Sequence, residues 1–442
     1  MASQFWQSLA LPFSEGEKDT RHKSANPFPE IRITFRQRPD RQFHITYSGC
    51  VPTRHPSSCI YIYRTTSKQR SPRAEQGRQT RSRNYKEMEA SNQGDAKRPT
   101  PPLSVRVQLA GLTVAIDAVE RSDGTVNRCL YGVIDRLLSA RPNPRPDKSG
   151  VRSYDITMDA SRNIWARVFA PSVATATTTG RPVPVVVYYH GGGFALFSPA
   201  IGPFNGVCRR LSAALGAVVV SVNYRLAPEH RFPAAYDDGV DALRFLDDHG
   251  GVPGLDDKAV DLGSCFLAGE SAGGNIVHHV ANRWAARWQA SAKTLRLAGI
   301  FPVQPYFGGV ERTESELALE GVSPVVNLKR SDFSWTAFLP VGATRDHPAA
   351  HVTDDNADLA EEFPPAMVVV GGFDPLMDWQ RRYAEVLRRK GKEVEVAEYP
   401  GMFHGFYGFP EVPEAATVLQ DMKAFVDRHR VPTAPKPKLA AA

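Results

Sequence analysis

The sequence predicts an α/β fold, with a mostly parallel sheet of eight strands flanked by helices. Three observations lead there. Valine-rich runs such as 183–189 and 217–223 are apolar almost without a break, as strands buried on both faces are. Stretches with helical spacing, 203–215, 236–249, 275–290 and 376–390, separate most of the strand runs. Four chemically distinctive features also fall just after strand runs: a triple glycine, Ser271, Asp374 and His404. Ligands bind at that edge of a parallel sheet.

Taken in order, residues 1–98 read as a basic, irregular leader, with some strand character at 32–35 and 59–63. Its Arg-, Ser-, Gln- and Pro-rich composition buries little apolar surface. Prolines at 99, 101 and 102 break the chain before an apolar-rich, helical or mixed stretch from Val105 to Leu138, and residues 141–146 form a Pro-rich linker. The sheet domain is expected over 151–430. Segments 152–158 and 163–170 should form an antiparallel pair. The runs 183–189, 217–223, 265–268, 297–301, 366–371 and 393–399 supply the other strands. Residues 308–358 show no strand pattern and are expected to insert helices. Phe333, Trp335 and Phe338 in that stretch suit an acyl pocket or the core equally. The tail, 431–442, reads as disordered.

Composition narrows the function. Hydrophobic content of 42% with 23% charged residues is ordinary for a globular protein. The net charge of +7 is uneven, because residues 1–87 carry 16 Lys/Arg against 7 Asp/Glu and the remainder 38 against 40. A nucleic-acid partner is therefore not expected for the folded part; binding of nucleic acid or a membrane surface would have to be the leader's own. Five widely spaced cysteines without a C-x-x-C pair argue against a disulfide framework or a zinc site. No run is apolar enough to span a membrane, and no secretory leader pattern is present. The expected location is the cytoplasm, with the nucleus also open to it.

Two motifs carry the chemistry. Gly269-Glu270-Ser271-Ala272-Gly273 follows an apolar run and precedes a helical one. A serine on such a strand–turn–helix junction is thrust out where its hydroxyl meets substrate. Upstream, His190-Gly191-Gly192-Gly193-Phe194 ends a strand run. Adjacent glycines let backbone N–H groups converge on one point, as acyl transfer requires for the charge that develops on the carbonyl oxygen.

With NYRLAPEHRFPAAYDD at 223–238, FDPL at 373–376 and GMFHGF at 401–406, these motifs resemble the α/β-hydrolase fold of the hormone-sensitive-lipase-like group, and within it plant carboxylesterases. The matching stretches are spread over residues 101–430. The resemblance implies that an N-terminal segment, here 99–150, caps the active site. It also implies that chains of this kind begin near Met88. Gibberellin receptors share the fold but replace the catalytic histidine and carry HGGS where this chain has HGGG.

A serine hydroxyl needs a base, and the base a carboxylate. In this fold they follow in the order Ser, Asp/Glu, His. His404, in the loop after the last strand run, is the expected base. His347 and His351 precede the carboxylate, His429 sits near the end of the last helix, and His278 and His279 read as helix residues. Asp374 is the expected carboxylate, with Asp378 the alternative. The oxyanion hole is expected from the N–H groups of Gly192, Gly193 and Ala272, the choice among the glycines resting on the resemblance. Glu270 is expected to anchor the loop, and Tyr224 and Arg225 to hold the surroundings. The expected activity is hydrolysis of small carboxylic esters through an acyl-serine intermediate, with no cofactor and no metal. A non-catalytic, gibberellin-like hormone receptor is the alternative.

Overall fold

The computed structural model describes residues 100–172, 182–323 and 325–430, and the backbone of two further strands. Those two, β1 (Arg32–Gln37) and β2 (Phe43–Ser48), pair antiparallel in a small unit of their own within Leu9–Thr80. Strand character at 32–35 was legible; the 59–63 run and the tail from 431 lie outside the described residues.

In the larger unit, α1 (Leu103–Val119) buries Val105, Leu109, Ile116 and Val119, a helical spacing. A turn through Gly124 reverses the chain into α2 (Arg128–Leu138), where the Asn127 side chain caps Leu130 N–H. These helices occupy the segment expected to form the cap. Leu112, Ile116, Tyr131 and Ile134 face Leu196 and Phe197 of the glycine loop across a narrow apolar crevice.

The main strands are β3 (Val151–Asp159), β4 (Ile164–Pro171), β5 (Val183–Tyr189), β6 (Val218–Asn223), β7 (Val260–Glu270), β8 (Leu297–Val303), β9 (Ala366–Phe373) and β10 (Val394–Phe403). They lie in the order β10-β9-β8-β7-β5-β6-β4-β3. β3 pairs antiparallel with β4, and β4 with β6; every other neighbouring pair is parallel. The fold class expected from the valine runs is the one observed. The valines of β5 explain it: Val185 and Val187 enter the core on one face, Val186 and Tyr188 the core on the other.

The first face is covered by α4 (Ala234–His249), α5 (Ala272–Arg287) and α8 (Met377–Arg389). The second is covered by α3 (Gly202–Leu215) and α9 (Pro413–His429). Between β8 and β9 the chain inserts α6 (Glu314–Ala318) and α7 (Leu328–Phe338), as the strandless 308–358 stretch predicted. From β5 the chain moves to β6 on one side and returns to β7 on the other. That reversal opens a crevice at the strand ends, the usual place for a ligand in such sheets.

Candidate active site

Ser271 stands between β7 and α5 with φ 56° and ψ −118°, a conformation that residues with a Cβ rarely adopt. Its surroundings enforce it. Ser271 N–H donates to Val303 O at 3.0 Å, and Ser271 O accepts from Tyr306 N at 2.9 Å and Asn275 N at 3.1 Å. A Cβ on Gly273 would run into the Tyr189 carbonyl, with His190 O 2.8 Å away, so the turn closes only with glycine there. The strand–turn–helix read from the motif is the local structure.

The triple glycine follows β5 and lies against the same turn: a Cβ on Gly191 would sit 3.4 Å from Ser271 Cβ. Gly192 (φ 109°) and Gly193 (φ 58°) have left-handed backbones. The Gly192 carbonyl accepts from Ala195 N at 3.1 Å and Leu196 N at 3.0 Å. Among the described residues no acceptor takes the N–H of Gly192 or Gly193. Ala272, the first residue of α5, contributes a helix N-terminal N–H, which has no partner within its own helix.

Asp374 follows β9 and is fully buried. Its Oδ2 accepts from His404 Nδ1 at 2.7 Å, Gln380 Nε2 at 2.8 Å and Gln304 Nε2 at 3.0 Å, and Oδ1 accepts from Leu376 N at 3.0 Å. His404 follows β10, also buried. With Nδ1–H given to Asp374, the imidazole leaves Nε2 as the nitrogen with a free lone pair. Ser271 Oγ and His404 are not hydrogen-bonded to one another in this structure, a looseness common before substrate binds.

The other candidates are engaged elsewhere. Asp378 accepts from Ser315 N at 2.8 Å. His429 faces Glu393 at 3.6 Å, beside the start of β10, while His404 follows its end. Ten strand residues, roughly 30 Å, separate them. His278 meets Tyr383 OH at 3.1 Å and His279 meets Ala349 O at 3.3 Å, both as buried helix residues, and burial holds both imidazoles well below their usual pKa. His347 accepts from Ala349 N, and His351 pairs with Asp346. Glu393, Glu395 and His429 have ligand atoms close enough for a metal, but Arg428 already engages Glu395.

Burial alone would lower the His404 pKa; the charge and hydrogen bond of Asp374 and the charge of Glu270 outweigh it, and the net shift is upward from 6.5. Burial raises Glu270 in turn, against the pull of His404 and a hydrogen bond from Tyr407. Tyr407 OH is itself 2.7 Å from Tyr188 OH. Glu270 Oε1 lies beside both Gly191 and Gly405, between the glycine loop and the histidine loop.

Tyr224 donates to His190 O at 2.8 Å and stacks on its ring at 4.3 Å, and Arg225 forks onto Asp238. Trp335 and Phe338 are core residues: Phe338 stacks on Phe194 at 3.7 Å and Trp335 on Tyr306 at 4.2 Å. Phe333 is half-buried against them.

Sequence reasoning missed Gln304, Gln380 and Ser334, the last of which packs against Gly193. Gln304 holds Asp374 and Phe403 O through Nε2 and takes Gly405 N–H on Oε1 at 2.7 Å, linking both loops. Its signal was present: it follows β8 at the same sheet edge as the other site residues. Gln380 and Ser334 lie on helices, one turn or more from any motif, and carried none.

Comparison with known proteins agrees with this fold. A family model described as an alpha/beta hydrolase fold matches residues 186–408. A gibberellin receptor of Arabidopsis thaliana, GID1C, is 39% identical over 337 residues, covering 74% of this chain and 94% of the receptor. Carboxylesterase 20 of the same plant is 35% identical over 304 residues, covering 66% of this chain and 89% of that protein. Among solved structures, an esterase of Pyrobaculum calidifontis superposes with a TM-score of 0.54 at 28% identity, covering 81% of this chain and 98% of the esterase. The chain belongs to the α/β-hydrolase fold family, in its hormone-sensitive-lipase-like group.

Proposed function

We propose that the protein is a carboxylesterase working through Ser271, His404 and Asp374. His404 Nε2 takes the Ser271 Oγ proton as Oγ bonds to the ester carbonyl carbon. The oxyanion that forms is met by the N–H groups of Gly192, Gly193 and Ala272. Collapse breaks the bond to the alcohol oxygen, and the imidazolium returns its proton to the departing alcohol. Water, deprotonated by the same imidazole, then releases the acid from the acyl-serine. Asp374 fixes the tautomer and steadies the imidazolium, while Gln304 and Gln380 fix Asp374. The chemistry needs water and no cofactor.

The observation that carries this reading is the 2.7 Å His404–Asp374 bond at the sheet edge that also presents Ser271. A ligand-binding protein has no need of a buried imidazole held by a carboxylate. The likeness to gibberellin receptors supports a second reading, a hormone-like binding protein on the same fold. Turnover separates the two. The esterase reading expects wild-type protein to hydrolyse a panel of p-nitrophenyl esters, and His404→Val to lose several orders of magnitude of kcat while still binding a non-hydrolysable analogue. Wild-type protein inert across the panel, yet binding small acids or esters, would favour the receptor reading.

A further inference from the structure

The glycine loop is unusual in how much left-handed backbone it holds. Besides Gly192 and Gly193, Phe194 (φ 63°) and Phe197 (φ 77°) are left-handed. A side-chain-bearing residue there is strained and persists only where its surroundings impose it. Two constraints come from the sheet domain: the Phe194 ring stacks on Phe338, and Phe194 O accepts from Ala227 N at 2.9 Å. A third comes from the capping segment. Arg128, the first residue of α2, donates from Nη1 to Ala195 O at 2.8 Å and from Nη2 to Ala227 O at 2.6 Å. Its Nε and Nη2 also fork onto Glu229, at 3.0 and 2.6 Å.

One planar guanidinium therefore joins three pieces of chain: α2, the glycine loop, and the segment after β6. Ala195 lies two residues beyond Gly193, and its own N–H closes the turn onto the Gly192 carbonyl. A pull on the Ala195 carbonyl is thus transmitted to the peptide planes that aim the Gly192 and Gly193 N–H groups. A second tie runs along α1. Asp117 pairs with Arg330 of α7 at 2.8 Å, and Ser334, one turn further along α7, packs against Gly193.

From this arrangement we infer that Arg128 is a positioning residue of the oxyanion hole, and that the capping segment takes part in transition-state stabilisation as well as covering the site. The inference rests on the esterase reading above. Arg128 touches no reacting atom; it acts through the Ala195 carbonyl. Its fork to Glu229 is half-exposed, and such pairs contribute little, so the two carbonyl contacts are what matter.

The test compares Arg128→Met, Arg128→Lys and Glu229→Gln with wild type. The readouts are kcat and KM on p-nitrophenyl acetate, inhibition by phenylboronic acid, and thermal melting. Addition of the serine to a boronic acid makes a tetrahedral boronate, one oxygen of which sits in the oxyanion hole, so inhibition reports on its donors. Arg128→Met should lower kcat roughly 10–100-fold with KM within about twofold, as misplacement of a reacting geometry does, and should weaken phenylboronic acid in proportion. Glu229→Gln should stay near wild type. Arg128→Lys keeps a charge for Glu229 but cannot fork onto two carbonyls, so its kcat should remain depressed in a folded protein. That second variant decides the matter if Arg128→Met melts far below wild type. A folded Arg128→Lys or Arg128→Met with wild-type kcat and boronate affinity overturns the inference, as does an equal loss in Glu229→Gln. Wild-type protein unreactive toward fluorophosphonate would overturn the esterase reading and this inference with it.

Discussion

Gly193→Ala adds one methyl group at the point where the proposed oxyanion hole meets α7. Two costs follow from the structure. At φ 58° a residue with a Cβ pays roughly 1–2 kcal/mol relative to glycine. The new Cβ would also overlap Ser334 Oγ and lie 2.9 Å from Ser334 Cβ, so either the loop or the serine has to move. Overpacking of this kind costs about 1–3 kcal/mol. If the loop moves, the Gly193 N–H leaves its aim, and losing one such donor costs about 3 kcal/mol of transition-state stabilisation, on the order of 10²–10³ in kcat. Steady-state kinetics on p-nitrophenyl acetate should therefore show kcat reduced by roughly that factor, with KM little changed. Combining it with Ser334→Gly removes the overlap but not the backbone strain. The pair should recover kcat at least tenfold over Gly193→Ala while remaining less stable than wild type. A Gly193→Ala protein with normal kcat and a raised KM would make the loop a binding element and not an oxyanion hole.

Because the base must be neutral to accept the serine proton, kcat/KM should fall as pH drops through the His404 pKa, and the midpoint should lie above 6.5. The linked stability runs the other way: a pKa raised on folding stabilises the protein below about 6.5, and this contribution fades as pH rises through the folded value. Glu270→Gln removes one of the charges that raise it and should shift the acid limb of the profile to lower pH; an unmoved limb would show that Glu270 does not act on the imidazole. Gln304→Leu leaves Gly405 N–H without an acceptor and Asp374 with one donor fewer. It should lower stability by about 1–3 kcal/mol in denaturant titration and reduce kcat, and an unchanged protein would remove Gln304 from the account.

The sheet was legible because its strands are buried on both faces, so valine runs mark them without help from long-range contacts. Chain ends of the strands were less so. β7 begins at Val260, five residues before the apolar run at 265–268, because Asp261 and Gly263 interrupt the pattern while the backbone still pairs with Val183 and Pro184. β10 continues through Pro400 and Gly401 to Phe403, past a register shift that no periodicity signals. At the site, Ser271 and the triple glycine announce themselves because a tight turn restricts which residues fit. Asp374 and His404 were reachable through chain order and strand ends. What holds them was not. Gln380, Ser334 and Arg128 act by distance across the fold, from positions whose local sequence is ordinary, and Gln304 is marked only by its place after β8. The upward pull on His404 likewise needs the spatial meeting of the imidazole with Glu270 and Asp374, 134 and 30 residues distant from it in sequence.

Whether Ser271 is the nucleophile is decided by labelling the intact protein with a fluorophosphonate and locating the adduct by peptide mass spectrometry. Ser271 should be modified stoichiometrically, with labelling slowed by several orders of magnitude in His404→Val and absent in Ser271→Ala. An unlabelled wild-type protein, or an adduct on another residue that persists in Ser271→Ala, would contradict that role.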